Sequence, residues 1–109
     1  MIAVKFNERL EKLGVFSFKD TRIKKLVLSA NINCISDFAF YHCIHLRYAD
    51  LRPAHNLKVL KTGAFSLSNL SRIELNDGLE IIGSECFNDC KFEEFSVPNG
   101  IQRINDNAF

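Results

Sequence analysis

Asp50 and Glu74 are a candidate catalytic pair of carboxylates. Side by side, one carboxyl could act as a general acid and the other as a general base. Such a pair needs burial or a closed pocket to shift its pKa values. The pattern of the surrounding residues places both side chains on an open sheet face instead, so the sequence predicts no catalytic residues and no enzyme.

A second cluster, His42, Cys43 and His45, contains residue types that bind metals. Its spacing matches no common zinc pattern, and Cys43 falls at a position that should face inward. The sequence therefore predicts no metal site and no cofactor.

The four cysteines, Cys34, Cys43, Cys86 and Cys90, could form disulfides in an extracellular protein. Cys43 and Cys90 occupy the same repeat position two units apart, which places them about 10 Å from each other. A disulfide allows a Cα separation of about 7 Å at most. We therefore expect reduced thiols, with Cys86 and Cys90 facing inward and Cys34 the most exposed.

These residues lie within a pattern that repeats along the chain. Phenylalanines follow a small residue at intervals of 22, 25, 22 and 22 residues, at Phe18, Phe40, Phe65, Phe87 and Phe109. A fixed period of this length is typical of a solenoid of stacked units. The sequence predicts a single domain over residues 1–109, with units that start near residues 1, 23, 46, 70 and 92 and an incomplete last unit. The third unit carries an insertion, Arg52–Asn56, which predicts a bulged loop.

Within each unit, apolar residues occupy positions 4, 6, 10 and 13 counted from the unit's first residue. Positions 4 and 6 alternate with outward positions 3, 5 and 7, which predicts a short strand that pairs in parallel with its neighbours. The pair at 10 and 13 predicts a second short strand or an extended segment. The small residue and Phe predict a tight turn, one turn of 3-10 or α-helix, with the rings stacked as a ladder. Burial of each ring would contribute about 2–3 kcal/mol.

Composition restricts the partners. The chain is 47% hydrophobic and 25% charged, as expected for one globular core, and its formal net charge is +1. A charge this small gives no broad basic field, so nucleic acid is not predicted as a partner. No apolar run approaches the length of a membrane span, and the first residues lack the pattern of a secretory signal.

Two segments, Ile35–Cys43 and Ile82–Cys90, show the repeat best. In each, the fourth residue after Ile is small, the next residue is Phe, and Cys follows three residues after the Phe. This pattern resembles the BspA-type (Treponema pallidum-type) leucine-rich repeat. The resemblance implies an α/β-type repeat solenoid, mostly β and right-handed, with a parallel sheet on the concave face and short strands or 3-10 turns elsewhere. It also implies adhesion, matrix-protein binding and antigenicity, without catalytic residues.

A partner would dock on the outward positions of the main strand. Neighbouring strands lie about 4.8 Å apart, so Tyr48 should adjoin Arg72 and Asp50 should adjoin Glu74. The predicted protein-binding residues on the concave face are Lys25, Tyr48, Asp50, Arg52, Arg72, Glu74 and Glu94. A mixed patch of this kind is favoured at binding surfaces. The alternative is a solvated strand face that simply carries charges of both signs.

Two functions remain open. The resemblance favours a cell-surface antigen or adhesin that binds host or matrix protein. Reduced cysteines and the missing signal favour an intracellular scaffold or regulatory subunit, for example of a phosphatase or signalling enzyme, in the cytoplasm. Because Met1 starts on a repeat and Phe109 stops within one, we also expect either a fragment of a longer array or self-association through uncapped ends.

Overall fold

The computed structural model describes residues 3–109, which wind into a mostly-β solenoid of parallel strands. The predicted unit start at Met1 lies outside the described residues. Each of the first four coils runs through one short strand, a corner, a second short strand and a tight turn that carries a Phe of the ladder. This succession agrees with the predicted order of elements within a unit.

Two parallel sheets run along the solenoid. The first sheet has the order β1 (Ala3–Lys5), β3 (Lys25–Val27), β5 (Tyr48–Asp50), β7 (Arg72–Glu74). The second sheet has the order β2 (Lys12–Leu13), β4 (Cys34–Ile35), β6 (Val59–Leu60), β8 (Ile81–Ile82), β9 (Arg103–Ile104). Register in the first sheet pairs Tyr48 with Arg72 and Asp50 with Glu74, as the repeat predicts. The core lies between the sheets and the turns.

No helix occurs within residues 3–109, so the expected α/β-type character and helical turn are wrong there. The reason is a pair of left-handed residues that flank each ladder Phe. Two residues before it, φ is between 55° and 64° at Phe16, Phe38, Gly63, Glu85 and Asn107. Two residues after it, φ is between 58° and 62° at Asp20, His42, Leu67 and Asp89. A right-handed helix cannot continue through such residues.

The tight turns bond to one another across coils. The backbone N–H of Phe40 donates to the carbonyl of Ala64 at 2.9 Å, and the N–H of Phe65 donates to the carbonyl of Cys86 at 2.9 Å. The left-handed residues orient these N–H groups along the solenoid axis, towards the following coil. The turns thus form a third ladder of hydrogen bonds beside the two sheets.

The predicted Phe ladder is confirmed. Ring centroids are 5.2 Å apart for Phe18 and Phe40, 5.2 Å for Phe40 and Phe65, and 5.9 Å for Phe65 and Phe87, with interplanar angles of 15° or less. The three inner rings, Phe40, Phe65 and Phe87, are buried. Phe109 lies 5.6 Å from Phe87 and keeps 55% of its surface exposed.

One glycine occurs among the five left-handed residues that precede the ladder. At Gly63, with φ of +64°, the space that a Cβ would need is filled by the ring of Phe38 from the preceding coil. Any side chain at residue 63 would displace that ring. The glycine therefore serves the packing of Phe38 as well as the backbone conformation.

The insertion in the third coil packs against the fourth. A Cβ at Gly78 would lie 2.7 Å from the carbonyl oxygen of His55. The amide of Asn76 donates to the carbonyl of Leu57 at 2.8 Å, where no backbone N–H of the described residues reaches. Asn76 was expected to face outward at position 7, and this is wrong, because its side chain is buried to satisfy that carbonyl.

The fifth coil departs from the repeat in the first sheet. Residues 94–98 form no strand, and Val97, expected in the core, is 50% exposed. Phe92 and Phe95 instead pack edge-to-face with each other and with Phe87, at centroid distances of 5.1–5.5 Å. These rings are larger than the aliphatic side chains at equivalent positions and hold the segment out of register. Ile104 was also expected in the core and is 41% exposed.

Truncation of Phe65 tests the ladder, because its ring is stacked on both sides. We expect Phe65→Ala to lower the free energy of unfolding by about 3–5 kcal/mol. Phe109→Ala is the control, since that ring is 55% exposed and should cost much less. Urea unfolding followed by circular dichroism measures both, with Phe65→Leu as a milder variant that retains a folded baseline. Equal losses for Phe65→Ala and Phe109→Ala would show that the ladder is not the core.

Candidate protein-interaction surface

The outer face of the first sheet carries a compact group of polar side chains, which we name the sheet-face patch. Its members are Lys25, Tyr48, Asp50, Arg52, Arg72 and Glu74. Strand alternation explains the arrangement, because Leu26 and Ala49 point inward and are fully buried while their neighbours point outward. Parallel register then aligns residues from three successive coils.

Tyr48 lies at the centre of the patch between two cations. The ammonium of Lys25 is 5.4 Å from the centroid of the Tyr48 ring, and the guanidinium of Arg72 is 5.5 Å from it. Both distances fall within the range of cation–π attraction. The two cations come from the adjacent strands on either side of β5, so the ring lies between them on the sheet face.

Two ion pairs, Arg52–Asp50 and Arg72–Glu74, lie in the patch together with Tyr48. Arg52 binds Asp50 through both carboxylate oxygens, with Nε to Oδ1 at 2.9 Å and Nη2 to Oδ2 at 3.0 Å. Arg72 donates from Nε at 3.1 Å and from Nη2 at 2.7 Å to one oxygen of Glu74. The Asp50 side chain is only 14% exposed, whereas that of Arg52 is 61% exposed. The patch therefore presents guanidinium groups outward over carboxylates that lie closer to the sheet.

Electrostatics at Asp50 oppose the acid–base chemistry considered for the carboxylate pair. The hydrogen bond from the Arg52 side chain is the largest of the effects that lower the pKa of Asp50 below its ordinary value. A general acid at neutral pH requires the opposite shift. Glu74 is likewise occupied, because it accepts both hydrogen bonds from Arg72. The arrangement is suited to recognition by charge and hydrogen bonding.

Glu94 does not join this arrangement on a strand. It was expected beside Arg72 at position 3 of the fifth unit, but residues 94–98 lie apart from β7. A groove of about 510 Å³ separates the two segments, with Arg72 and Glu74 on one wall and Glu94 and Val97 on the other. The structure thus brings six of the seven predicted residues together and places the seventh across a groove.

Sequence reasoning missed a second group of surface side chains, on the tight turns. Phe16 stacks on Phe38 at 5.5 Å and 10°, and Tyr41 packs edge-on against both rings. Nδ1 of His42 contacts the carboxylate of Asp20 in the preceding coil. A signal for two of these contacts was present in the repeat, because Phe16 and Phe38, and likewise Asp20 and His42, are separated by 22 residues, a spacing of the ladder. Recognising them required the left-handed turn geometry, which the residue types did not indicate.

The cysteines are free thiols that pack between coils. Cys43 donates to the carbonyl of Phe18 at 3.0 Å, and its burial raises its pKa. Burial also raises the pKa of Cys90 to about 11, although a hydrogen bond with Ser68 acts in the opposite direction. Cys34 is half-buried, and Cys90, which was expected to face inward, is half-buried and packs against the core. Among residues 3–109, no group of His, Cys, Asp or Glu side chains could hold a metal ion.

Comparison with known proteins adds one positive finding. A family model described as BspA type leucine rich repeat region matches residues 1–109, in six copies. A search of curated proteins finds no match. No helix in the described part of the chain is long and apolar enough to cross a membrane.

The Arg52–Asp50 pair generates a prediction about pH. Arg52→Ala should raise the pKa of Asp50 towards its ordinary value, as measured by the pH dependence of the Asp50 carboxyl resonance in NMR. Because the folded pKa of Asp50 lies below its unfolded value, the pair stabilises the fold above about pH 4 and loses this effect as pH falls through the folded pKa. The stability difference between wild type and Arg52→Ala should therefore shrink in acid. Identical Asp50 titration in both proteins would contradict the assigned contact.

Proposed function

The chain belongs to the BspA-type leucine-rich repeat family, and on that premise we propose that it is a non-catalytic module that binds a protein partner through the sheet-face patch. Leucine-rich repeats are typically a non-catalytic interaction fold, and solenoids offer long binding surfaces on their concave side. The proposal takes the first sheet as the concave side of a right-handed array. It includes Glu94 as the outlying member of the binding residues.

The observation that supports this proposal best is the position of the Tyr48 ring between two cations. Tyr48 stands between Lys25 and Arg72, and tyrosine and arginine are enriched among the residues that dominate binding energy. Side chains that are already ordered lose less entropy when a partner docks. The ring, the two cations and the paired carboxylates already contact one another in the absence of a partner, which reduces that loss.

Charge on the patch favours a protein over a polyanion as the partner. Lys25, Arg52 and Arg72 contribute positive charge, while Asp50 and Glu74 contribute negative charge among them. A nucleic acid would meet repulsion from both carboxylates, whereas a protein surface can present both signs. The proposal therefore excludes nucleic acid as the physiological ligand.

The family points to a surface antigen or adhesin that binds host or matrix protein, and we adopt this as the proposed role. An intracellular scaffold or regulatory subunit is the second candidate, and the free thiols support it. Unpaired cysteines are typical of reducing compartments, and this structure has four of them. The two roles share the binding surface and differ in where the partner is met.

Affinity capture tests the surface. The chain, immobilised as wild type or as Tyr48→Ala/Arg72→Ala, is exposed to extract from the source cells and from the cells or matrix they contact. We expect the double variant to retain about a tenth or less of any specifically captured partner, as for removal of central contact residues. Lys12→Ala/Arg103→Ala, which removes two exposed cations from the second sheet, is the matched control and should capture normally. Equal capture by all three proteins, or loss only with the control, would overturn the assignment of the surface.

Antibody labelling distinguishes the two roles. Source cells are stained intact and after permeabilisation, with an antibody raised against the folded chain. Staining of intact cells is the expected result for the adhesin role. Staining only after permeabilisation would reject that role and support the scaffold.

A further inference from the structure

The first sheet stops at β7 although the solenoid continues. The fifth coil stays attached through the pairing of β8 with β9 and through the turn, where the N–H of Phe87 donates to the carbonyl of Ala108 at 2.7 Å. On the side of the first sheet, residues 94–98 form no strand. At the start of this side the N–H of Lys91 still donates to the carbonyl of Leu70 at 2.8 Å. The last two coils therefore lie together at the second sheet, at the turn and at Lys91, and separate along residues 94–98.

This separation leaves backbone groups of β7 without partners. The N–H of Arg72 and the carbonyl of Glu74 both bond towards the preceding coil. Since successive residues of a parallel strand direct their backbone groups to opposite sides, the N–H and carbonyl of Ile73 and the N–H of Leu75 point towards the fifth coil. Among residues 3–109, β7 pairs with β5 alone, and the N–H of Leu75 makes no backbone hydrogen bond.

Earlier coils show what is missing. The N–H of Leu28 donates to the carbonyl of Asp50 at 3.0 Å, and the N–H of Leu51 donates to that of Glu74 at 2.8 Å. Leu75 occupies the equivalent position in the fourth coil and makes no such bond within the described chain. A strand placed against β7 would restore the interaction that the repeat makes elsewhere.

The groove beside β7 has room for such a strand and an apolar floor. Its volume is about 510 Å³. Ile73 and Leu75 are only half-buried, whereas Leu26 and Leu51 in earlier coils are fully buried. Val97, which is 50% exposed, lines the opposite wall. Alternate side chains of a bound strand would cover these apolar surfaces.

The rim of the groove is acidic. Glu74, Asp77, Glu93 and Glu94 line this opening and the adjoining cleft, against the single cation Arg72. Arg72 is itself paired with Glu74, so the remaining three carboxylates face the opening without a cation from the residues that line it. An occupant with lysine or arginine side chains is the one that this field attracts.

We propose that the groove binds an extended, basic segment of a protein partner, which adds to β7 as a further parallel or antiparallel strand. Strand addition to a free sheet edge is an established mode of peptide recognition, in which main-chain hydrogen bonds provide affinity and alternate side chains provide specificity. Three residues of β7 span about 10 Å, so a short segment suffices. A whole coil of a second copy does not fit, because the fifth coil already occupies the space beyond the groove. The inference rests on the proposed binding function and assigns a chemical class to the partner.

Fluorescence anisotropy with a labelled peptide of alternating lysine and valine tests the proposal on the full chain. The peptide should bind wild type, and the affinity should fall as salt is raised. Glu93→Lys/Glu94→Lys should weaken binding about tenfold, since it reverses two exposed rim charges. Glu8→Lys/Glu11→Lys makes the same change in charge on the first coil and should leave the affinity within about twofold, apart from long-range effects.

Two further peptides separate strand addition from general charge attraction. One carries N-methyl groups on the amides of its valines and the other on those of its lysines, because alternate amides of a strand face the same side. At least one of the two should lose binding, as methylation removes the donors directed at β7. Retention of binding by both peptides, absence of binding by the unmodified peptide, or equal weakening by the two charge-reversal variants would overturn the proposal.

Tyr48→Ala, which lies outside the groove, should bind the peptide as wild type does. If a partner is captured through Tyr48 while the basic peptide does not bind, the surface function stands and the strand-addition site is rejected.

Discussion

Every coil relies on its neighbouring coils for the backbone hydrogen bonds that its short turns cannot close within themselves. Some turn N–H groups donate to the carbonyl three residues earlier, but no helix occurs in the described chain, and the other turn and strand groups find partners 21–25 residues away. The Phe ladder follows from this, because coils held at hydrogen-bonding distance bring equivalent rings to about 5–6 Å. The aligned charges of the sheet-face patch follow in the same way.

The fifth coil lacks these inter-coil hydrogen bonds on one side, where the first sheet ends at β7. The second sheet and the turns still bond across the last junction, but Phe92 and Phe95 pack as an aromatic cluster where smaller aliphatic residues would allow a strand. The resulting groove is thus a local failure of the repeat rather than an addition to it. The same failure leaves Ile73 and Leu75 less buried than their counterparts and places Glu94 across from β7. At this junction, the packing of the core rings therefore also determines the shape of the surface.

Much of the fold could be predicted from the sequence because the same pattern of apolar and small residues occurs in several units. Register between Tyr48 and Arg72, the buried Phe65 and the outward carboxylates all follow from counting positions. The left-handed turns could not be predicted in this way, since Phe16 and Glu85 are not residue types that favour positive φ. The contacts of Tyr48 with Lys25 and Arg72 needed side-chain geometry as well as register. The burial of Asn76 depended on where a loop of one coil meets the next, which no single unit encodes.

That last contact has a consequence for how such an array can change during evolution. His55 in the inserted loop approaches residue 78 so closely that only glycine fits there, and Asn76 supplies the hydrogen bond that Leu57 lacks. The third and fourth coils are therefore matched to each other, although each looks like an independent copy of one motif. Duplication, deletion or exchange of single units should be selected against at junctions matched in this way, which include the contact of Gly63 with Phe38 between the second and third coils. The three coils that carry the patch would then be inherited together, as one unit.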